Sequence, residues 1–151
     1  MSNLPFKQKL SENEKLNIGK TGNLPTELKV KVGAPVVMTQ NNKKAKYKED
    51  GLVNGARGYV EAVQTNADNP DQVEIIWVVF NDETIGRRYR RENYHLRQGF
   101  NPGNQLAAPI LPERTTFQRG ELKFQRTNFP LTLAFCITAH KCQLSILSAL
   151  L

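Results

Sequence analysis

"GARGYVEAVQTNADNPDQVEIIWVVF", residues 55 to 80, sets two runs rich in β-branched and aromatic residues on either side of a turn-forming segment. "GYVEAVQ" and "VEIIWVVF" read as strands, and "TNADNPDQ" between them concentrates the Asn, Asp and Pro that reverse a chain. Upstream, "ELKVKVGAPVVMTQN" alternates Leu28, Val30 and Val32, breaks at Gly33 and Pro35, and resumes with Val36, Val37 and Met38. That pattern predicts two short strands or one bent one. The polar loop "NNKKAKYKEDG" leads into residue 51, and "NDETIGRRYRREN" follows residue 80. Strands at this spacing, without long helical stretches, predict a small antiparallel barrel or sandwich from about residue 28 to 128. Within "RQGFNPGNQLAAPILPERTTFQRGE", Pro102, Pro109 and Pro112 exclude a continuous helix or a central strand.

The flanks differ in character. Residues 1 to 24 are polar with little periodicity and read as a poorly ordered leader. From "FPLTLAF" onward, Pro130 fits a first helical turn, and Leu131, Ala134, Phe135, Thr138 and Cys142 fall on one side at helical spacing. The expectation is a short helix from 131 to about 143, with a buried strand as the competitor because Thr132, Ile137 and Thr138 are β-branched. The resulting division is 1–24, a β-rich unit at 25–128, and a distinct segment at 129–151.

A chain of 151 residues with 39% hydrophobic content can bury one sizeable core. Its 21 Lys and Arg against 14 Asp and Glu give a net charge of +7, which favours an anionic partner, nucleic acid ahead of an acidic membrane surface. The N-terminal stretch "MSNLPFKQKLSENEKLN" lacks an apolar core of signal-peptide length and no apolar run reaches that of a membrane span, so neither secretion nor a membrane is expected. Cys136 and Cys142 make a poor disulfide framework and suit a reducing compartment.

Several motifs fail on spacing. Gly19-Lys20-Thr21 ends like a phosphate-binding loop, but Glu14 stands where its first glycine is needed and no apolar strand precedes it. Cys136, His140 and Cys142, even with His95, lack the spacing of a zinc site, and two buried thiols packing as small hydrophobes explain them better. A Cys136–His140 nucleophilic pair has no evident oxyanion donors or orienting acid. No metal site is expected, and no catalytic residue is assigned. The basic segments carry more weight. Arg87, Arg88, Arg90 and Arg91 surround Tyr89, with Tyr94 beyond; on a strand, alternate arginines would face one side and grip phosphates. Lys43, Lys44, Lys46 and Lys48 surround Tyr47 on a loop, where the aromatics would offer stacking surfaces to unpaired bases.

Three separated stretches, "VGAPVVMTQN", "GLVNGARG" and "FQRTNFPLTLAFCITAHKCQ", resemble, in this order, motifs of the petite-integration-frequency (Pif) and RecD-like superfamily-one DNA helicases. The resemblance spans about residues 22 to 143. It implies a Src-homology-three-like barrel inserted into the second RecA-like motor domain, so the fold class is mainly β, a small antiparallel barrel or meander, followed by a short C-terminal helix of an incomplete RecA-like α/β domain. It implies that Thr138, His140 and Lys141 approach the single-stranded DNA backbone, that Gln143 lies next to the part that senses the nucleotide's terminal phosphate, in a segment that couples nucleotide state to DNA grip, and that Arg57 contacts a phosphate. Asn54, Gly55 and Gly58 would shape a tight turn, and Arg87, Arg88, Arg90, Arg91, Lys43 and Lys44 would add DNA contacts.

After Gln143 the family's glycine is Leu144, and "LSILSALL" replaces the expected turn and strand. With the P-loop and the acidic Mg²⁺-binding motif also missing, the chain reads as a fragment or truncated product. The expectation is a C-terminal piece of an ATP-dependent, 5′–3′ DNA helicase that binds no cofactor and hydrolyses no ATP alone. ATP and Mg²⁺ would belong to the intact helicase, and the partners would be single-stranded or forked DNA and the absent first motor domain. Location would be nuclear or mitochondrial in a eukaryote and cytoplasmic otherwise. A non-enzymatic small-barrel nucleic-acid-binding module stays open as the second class, with metal or thiol chemistry last.

Overall fold

The computed structural model describes residues 28 to 134. Within them, β1 (Pro35–Met38), β2 (Arg57–Thr65), β3 (Val73–Phe80), β4 (Ala108–Ile110) and β7 (Leu131–Leu133) form one sheet in the order β4-β3-β2-β1-β7. The strands β5 (Glu113–Arg119) and β6 (Leu122–Asn128) form a separate hairpin, and every pairing is antiparallel. Three short helical pieces connect them: α1 (Ala45–Lys48), α2 (Arg87–Glu92) and a 3-10 turn (Tyr94–Arg97).

The run Val73–Phe80 is continuously apolar because β3 is covered on both faces. Ile76, Val78 and Phe80 point into the main core with Val36, Val60, Leu52, Tyr47, Tyr89 and Leu131, while Ile75, Trp77 and Val79 point into a second, smaller core with Ala107, Leu96 and Phe100. Each fully buried side chain of this size contributes about 1.5–3 kcal/mol. Trp77 lies under Phe100, with ring centroids 6.1 Å apart, and its indole N–H donates to Gln64 Oε1 at 3.0 Å. Register along β2 and β3 shifts between Val60 and Ala62 and again between Gln64 and Thr65, irregularities that bend the long ribbon.

Three expectations are corrected. Leu131–Leu133 is a strand, not the start of a helix: its residues pair with β1, Thr39 N–H donates to Pro130 O, and Ala134 N–H donates to Pro35 O. These long-range bonds satisfy the backbone in an extended form and place Leu131 in the core, fully buried, which outweighs local helical spacing. The remainder of that expected helix, like the expected leader at 1–24, lies outside the described residues. The sheet is also open rather than a closed barrel among the described residues, since β4 pairs only with β3 and β7 only with β1. Pro109 suits such an edge because it cannot donate to a further strand. Finally, Leu28 to Val32 form no strand; Leu28 and Val30 pack on the main core, Val32 is exposed, and a turn closes from Ala34 N–H to Lys31 O.

Gly58 has no room for a side chain. A Cβ there would fall inside contact distance of the Val79 carbonyl oxygen and 2.9 Å from Phe80 Cα. Gly55, three residues earlier, instead needs its φ of 96°, with open space around it.

Candidate nucleic-acid interface

The two basic segments, forty residues apart in sequence, meet in space. The contact is built from buried aromatics and two carboxylates. Tyr47 on α1 and Tyr89 on α2 are both buried, with ring centroids 4.9 Å apart in an edge-to-face arrangement. The Tyr89 hydroxyl donates to Pro109 O at 2.6 Å, which ties α2 to the edge strand β4. Asp50, two residues past α1, accepts from the backbone N–H groups of Arg88 and Tyr89 at 3.1 and 2.9 Å. Those groups open α2, which has no acidic residue in its own first turn, so the distant carboxylate supplies both the cap and the negative charge that the helix start favours.

Glu92 joins the two helices on the solvent side. Its carboxylate accepts from Lys46 Nζ at 3.0 Å and from Arg88 Nε at 3.2 Å. A hydrogen bond from the Tyr47 phenol, followed by the one from Lys46, holds its carboxyl down at about 2. The folded value lies below the ordinary 4.5, so the contribution to stability is present above 4.5 and is lost as pH falls towards about 2. A Glu92→Gln variant is expected to show a flatter acid limb in melting temperature against pH. An unchanged acid limb would show that Glu92 does not couple the helices. Burial pushes the Tyr89 phenol above its ordinary 10.0. It therefore stays neutral as a donor, and its stabilisation is complete below 10.0 and declines as pH rises beyond.

This arrangement sorts the expected DNA contacts. The chain alternation that suggested a strand through Arg87–Arg91 instead forms a helix, because Asp50 caps it. Arg87, Arg88 and Arg91 are exposed along α2. Arg90 is partly buried and committed to structure, donating to Ile85 O at 2.7 Å and Glu83 O at 2.9 Å. Lys43 donates to Arg114 O at 3.0 Å and pairs with Glu113 at 3.2 Å, holding the β5–β6 hairpin to this corner. Ala45–Lys48 form a short helical turn rather than a free loop, and Lys44 and Lys46 lie over the Tyr47 ring at 5.7 and 4.8 Å. Tyr47 and Tyr89 are core residues and offer no stacking surface. Residues 43–50 and 87–92 together carry eight cationic side chains against three carboxylates. The arrangement can bind phosphates through exposed guanidinium and ammonium groups on a rigid frame. Among the described residues, no cluster of three or more His, Cys, Asp or Glu is placed to hold a metal ion, and no helix is long and apolar enough to cross a membrane.

No family model and no curated protein matches this chain. Solved structures of helicases do. Unliganded Pif1 from a Bacteroides species is similar at 22% identity over 76% of this chain and 21% of its own length, with a TM-score of 0.36. Pif1 helicase from Candida albicans is similar at 21% identity over 89% of this chain and 28% of its own, with a TM-score of 0.44. The chain thus spans well under a third of either structure.

Elsewhere, Arg57 is exposed on β2, one residue before Gly58. Asn54 donates its backbone N–H to Asn41 Oδ1 at 2.8 Å, and Gly55 N–H donates to Met38 O at 2.8 Å, so this turn is pinned to the end of β1. Thr138, His140, Lys141 and Gln143 lie outside the described residues. Sequence reasoning missed Asp50 and Glu92, which position the basic helices. A carboxylate inside a lysine-rich stretch and another ending an arginine run were the available signals.

Proposed function

We propose that this chain is a DNA-contacting part of a Pif/RecD-like DNA helicase, its sheet standing for the Src-homology-three-like insert and its final segment for part of the second RecA-like domain. The observation that carries the reading is the convergence of α1 and α2 into one basic corner, held by Asp50 and Glu92, on a chain whose three motif stretches follow the helicase order. Arg87, Arg88 and Arg91 meet the phosphate backbone, with Arg57 as a separate contact on β2. The remainder of the intact helicase supplies ATP and Mg²⁺ binding and the first motor domain. Thr138, His140, Lys141 and Gln143 serve DNA contact and nucleotide coupling there.

Fluorescence anisotropy with a labelled oligonucleotide across a salt series tests this. The chain is expected to bind single-stranded DNA in a salt-dependent manner. Replacing Arg87 and Arg91 together by Gln should weaken binding several-fold and reduce the slope of log affinity against log salt by about 0.7 for each lost phosphate contact. No binding at low salt, or an unchanged slope in the double variant, would overturn the reading.

A further inference from the structure

Beyond the basic corner, the sheet face that carries Trp77 presents two exposed tyrosines that no packing explains. Tyr94 is 60% exposed and Tyr59 is 37% exposed. Tyr94 is nonetheless held in place: the Arg97 guanidinium lies 5.8 Å from its ring and 5.4 Å from that of Trp77. Arg97 is itself fixed by donating to the carbonyls of Asn104, Gln105 and Ala107 at 3.2, 3.0 and 2.8 Å. An exposed ring backed by so many contacts is a preorganised surface, which lowers the ordering cost of binding.

Register places Tyr59 on the same face. Tyr59 is directly opposite Val79, and Val79 and Trp77 both point into the second core, so Tyr59 faces that side as well. Arg57, two residues from Tyr59 on the same strand, shares its face and is exposed. Val79 and Trp77 are about 7 Å apart along β3, so Tyr59, opposite Val79, and Tyr94, held by the Arg97 that covers Trp77, are offset along this face rather than stacked on each other. That offset suits a short run of extended nucleotides.

We infer that Tyr94 and Tyr59 form a stacking platform for unpaired bases on the Trp77 face of the sheet, with Arg57 taking an adjacent phosphate. The platform rests on the nucleic-acid reading above and adds what the basic corner lacks, a means of preferring single strands to duplex. A flat ring stacks on any base, so the preference is independent of sequence. The guanidinium at Arg57 and the chain's net charge of +7 supply the complementary charge.

The test uses the whole chain and three probes of equal length: a mixed-sequence single strand, the same strand with abasic residues throughout, and the duplex. The wild type is expected to bind the single strand roughly tenfold more tightly than the abasic strand. Tyr94→Leu and Tyr59→Leu should each lose most of that advantage while keeping wild-type affinity for the abasic strand and the duplex, and Tyr94→Phe should restore it. Equal wild-type affinity for the single strand and its abasic form would overturn the platform and leave the phosphate-binding reading intact. An equal loss on all three probes in the leucine variants would likewise overturn it. Failure of the wild type to bind any probe would overturn both readings. The abasic comparison alters only the ligand, so equal affinities would overturn the platform even where a variant fails to fold, and Tyr94→Phe, which keeps the ring, controls for folding in locating it.

Discussion

A Gly58→Ala chain is expected to be strongly destabilised, with a melting temperature well below that of the wild type. The added methyl would collide first with backbone, which cannot turn aside, at the Val79 carbonyl oxygen and at Phe80 Cα, 2.9 Å away, and then with the Val78 side chain, whose Cγ1 is 3.0 Å away. All three belong to β3, which pairs along the whole of β2, so relief requires the two central strands to separate locally. Overpacking of this kind costs about 3 kcal/mol or more, a large part of the roughly 5–15 kcal/mol that holds a domain together. Gly55→Ala provides the comparison. It meets nothing within 4 Å and suffers only from its positive φ, so its cost is about 1 kcal/mol. Thermal melts followed by circular dichroism measure both, and equal melting temperatures for the two variants would refute the close approach of β2 to β3.

Tyr89→Ala is the second large effect. The ring is 8% exposed and sits against Tyr47, while its hydroxyl supplies a hydrogen bond to Pro109 O. Removing the ring leaves a cavity and costs about 3–5 kcal/mol. Tyr89→Phe keeps the ring and orphans only the carbonyl, at about 1–2 kcal/mol. Both changes loosen α2 from β4, so DNA affinity should fall in the same order as stability, Ala below Phe below wild type. Chemical denaturation and anisotropy together follow the two quantities. A Phe variant as unstable as the Ala variant would mean that the hydroxyl, not the packed ring, anchors the helix.

The strands β2 and β3 were legible because their signals are local: a β-branched run of the right length, bounded by residues that turn the chain. Covering of β3 on both faces is visible in the same run, which lacks alternation. The errors arose where distant partners decide the outcome. Leu131, Thr132 and Leu133 are compatible with either a helix or a strand, and the hydrogen bonds that choose the strand come from β1, almost a hundred residues earlier. "GRRYRREN" shows strand-like alternation, but Asp50 caps it as a helix from 38 residues away, a contact that no window of sequence contains. The charged character of the corner was readable from composition, whereas the division between structural and available cations was not. Arg90 and Lys43 spend their donors on carbonyl groups, and only three-dimensional placement distinguishes them from Arg91.

The chain has one tryptophan, and it is Trp77, fully buried between Phe100 and Arg97 and a single guanidinium away from Tyr94. Its emission therefore comes from one defined place without a label. Blue-shifted light reports an intact sheet, and a change in intensity on adding an oligonucleotide reports chiefly the neighbouring face, since Tyr47 and Tyr89, on which the basic corner is built, pack into the core on the opposite side of β3. The molecule carries its own optical meter, placed beside one surface and a strand's thickness from the other.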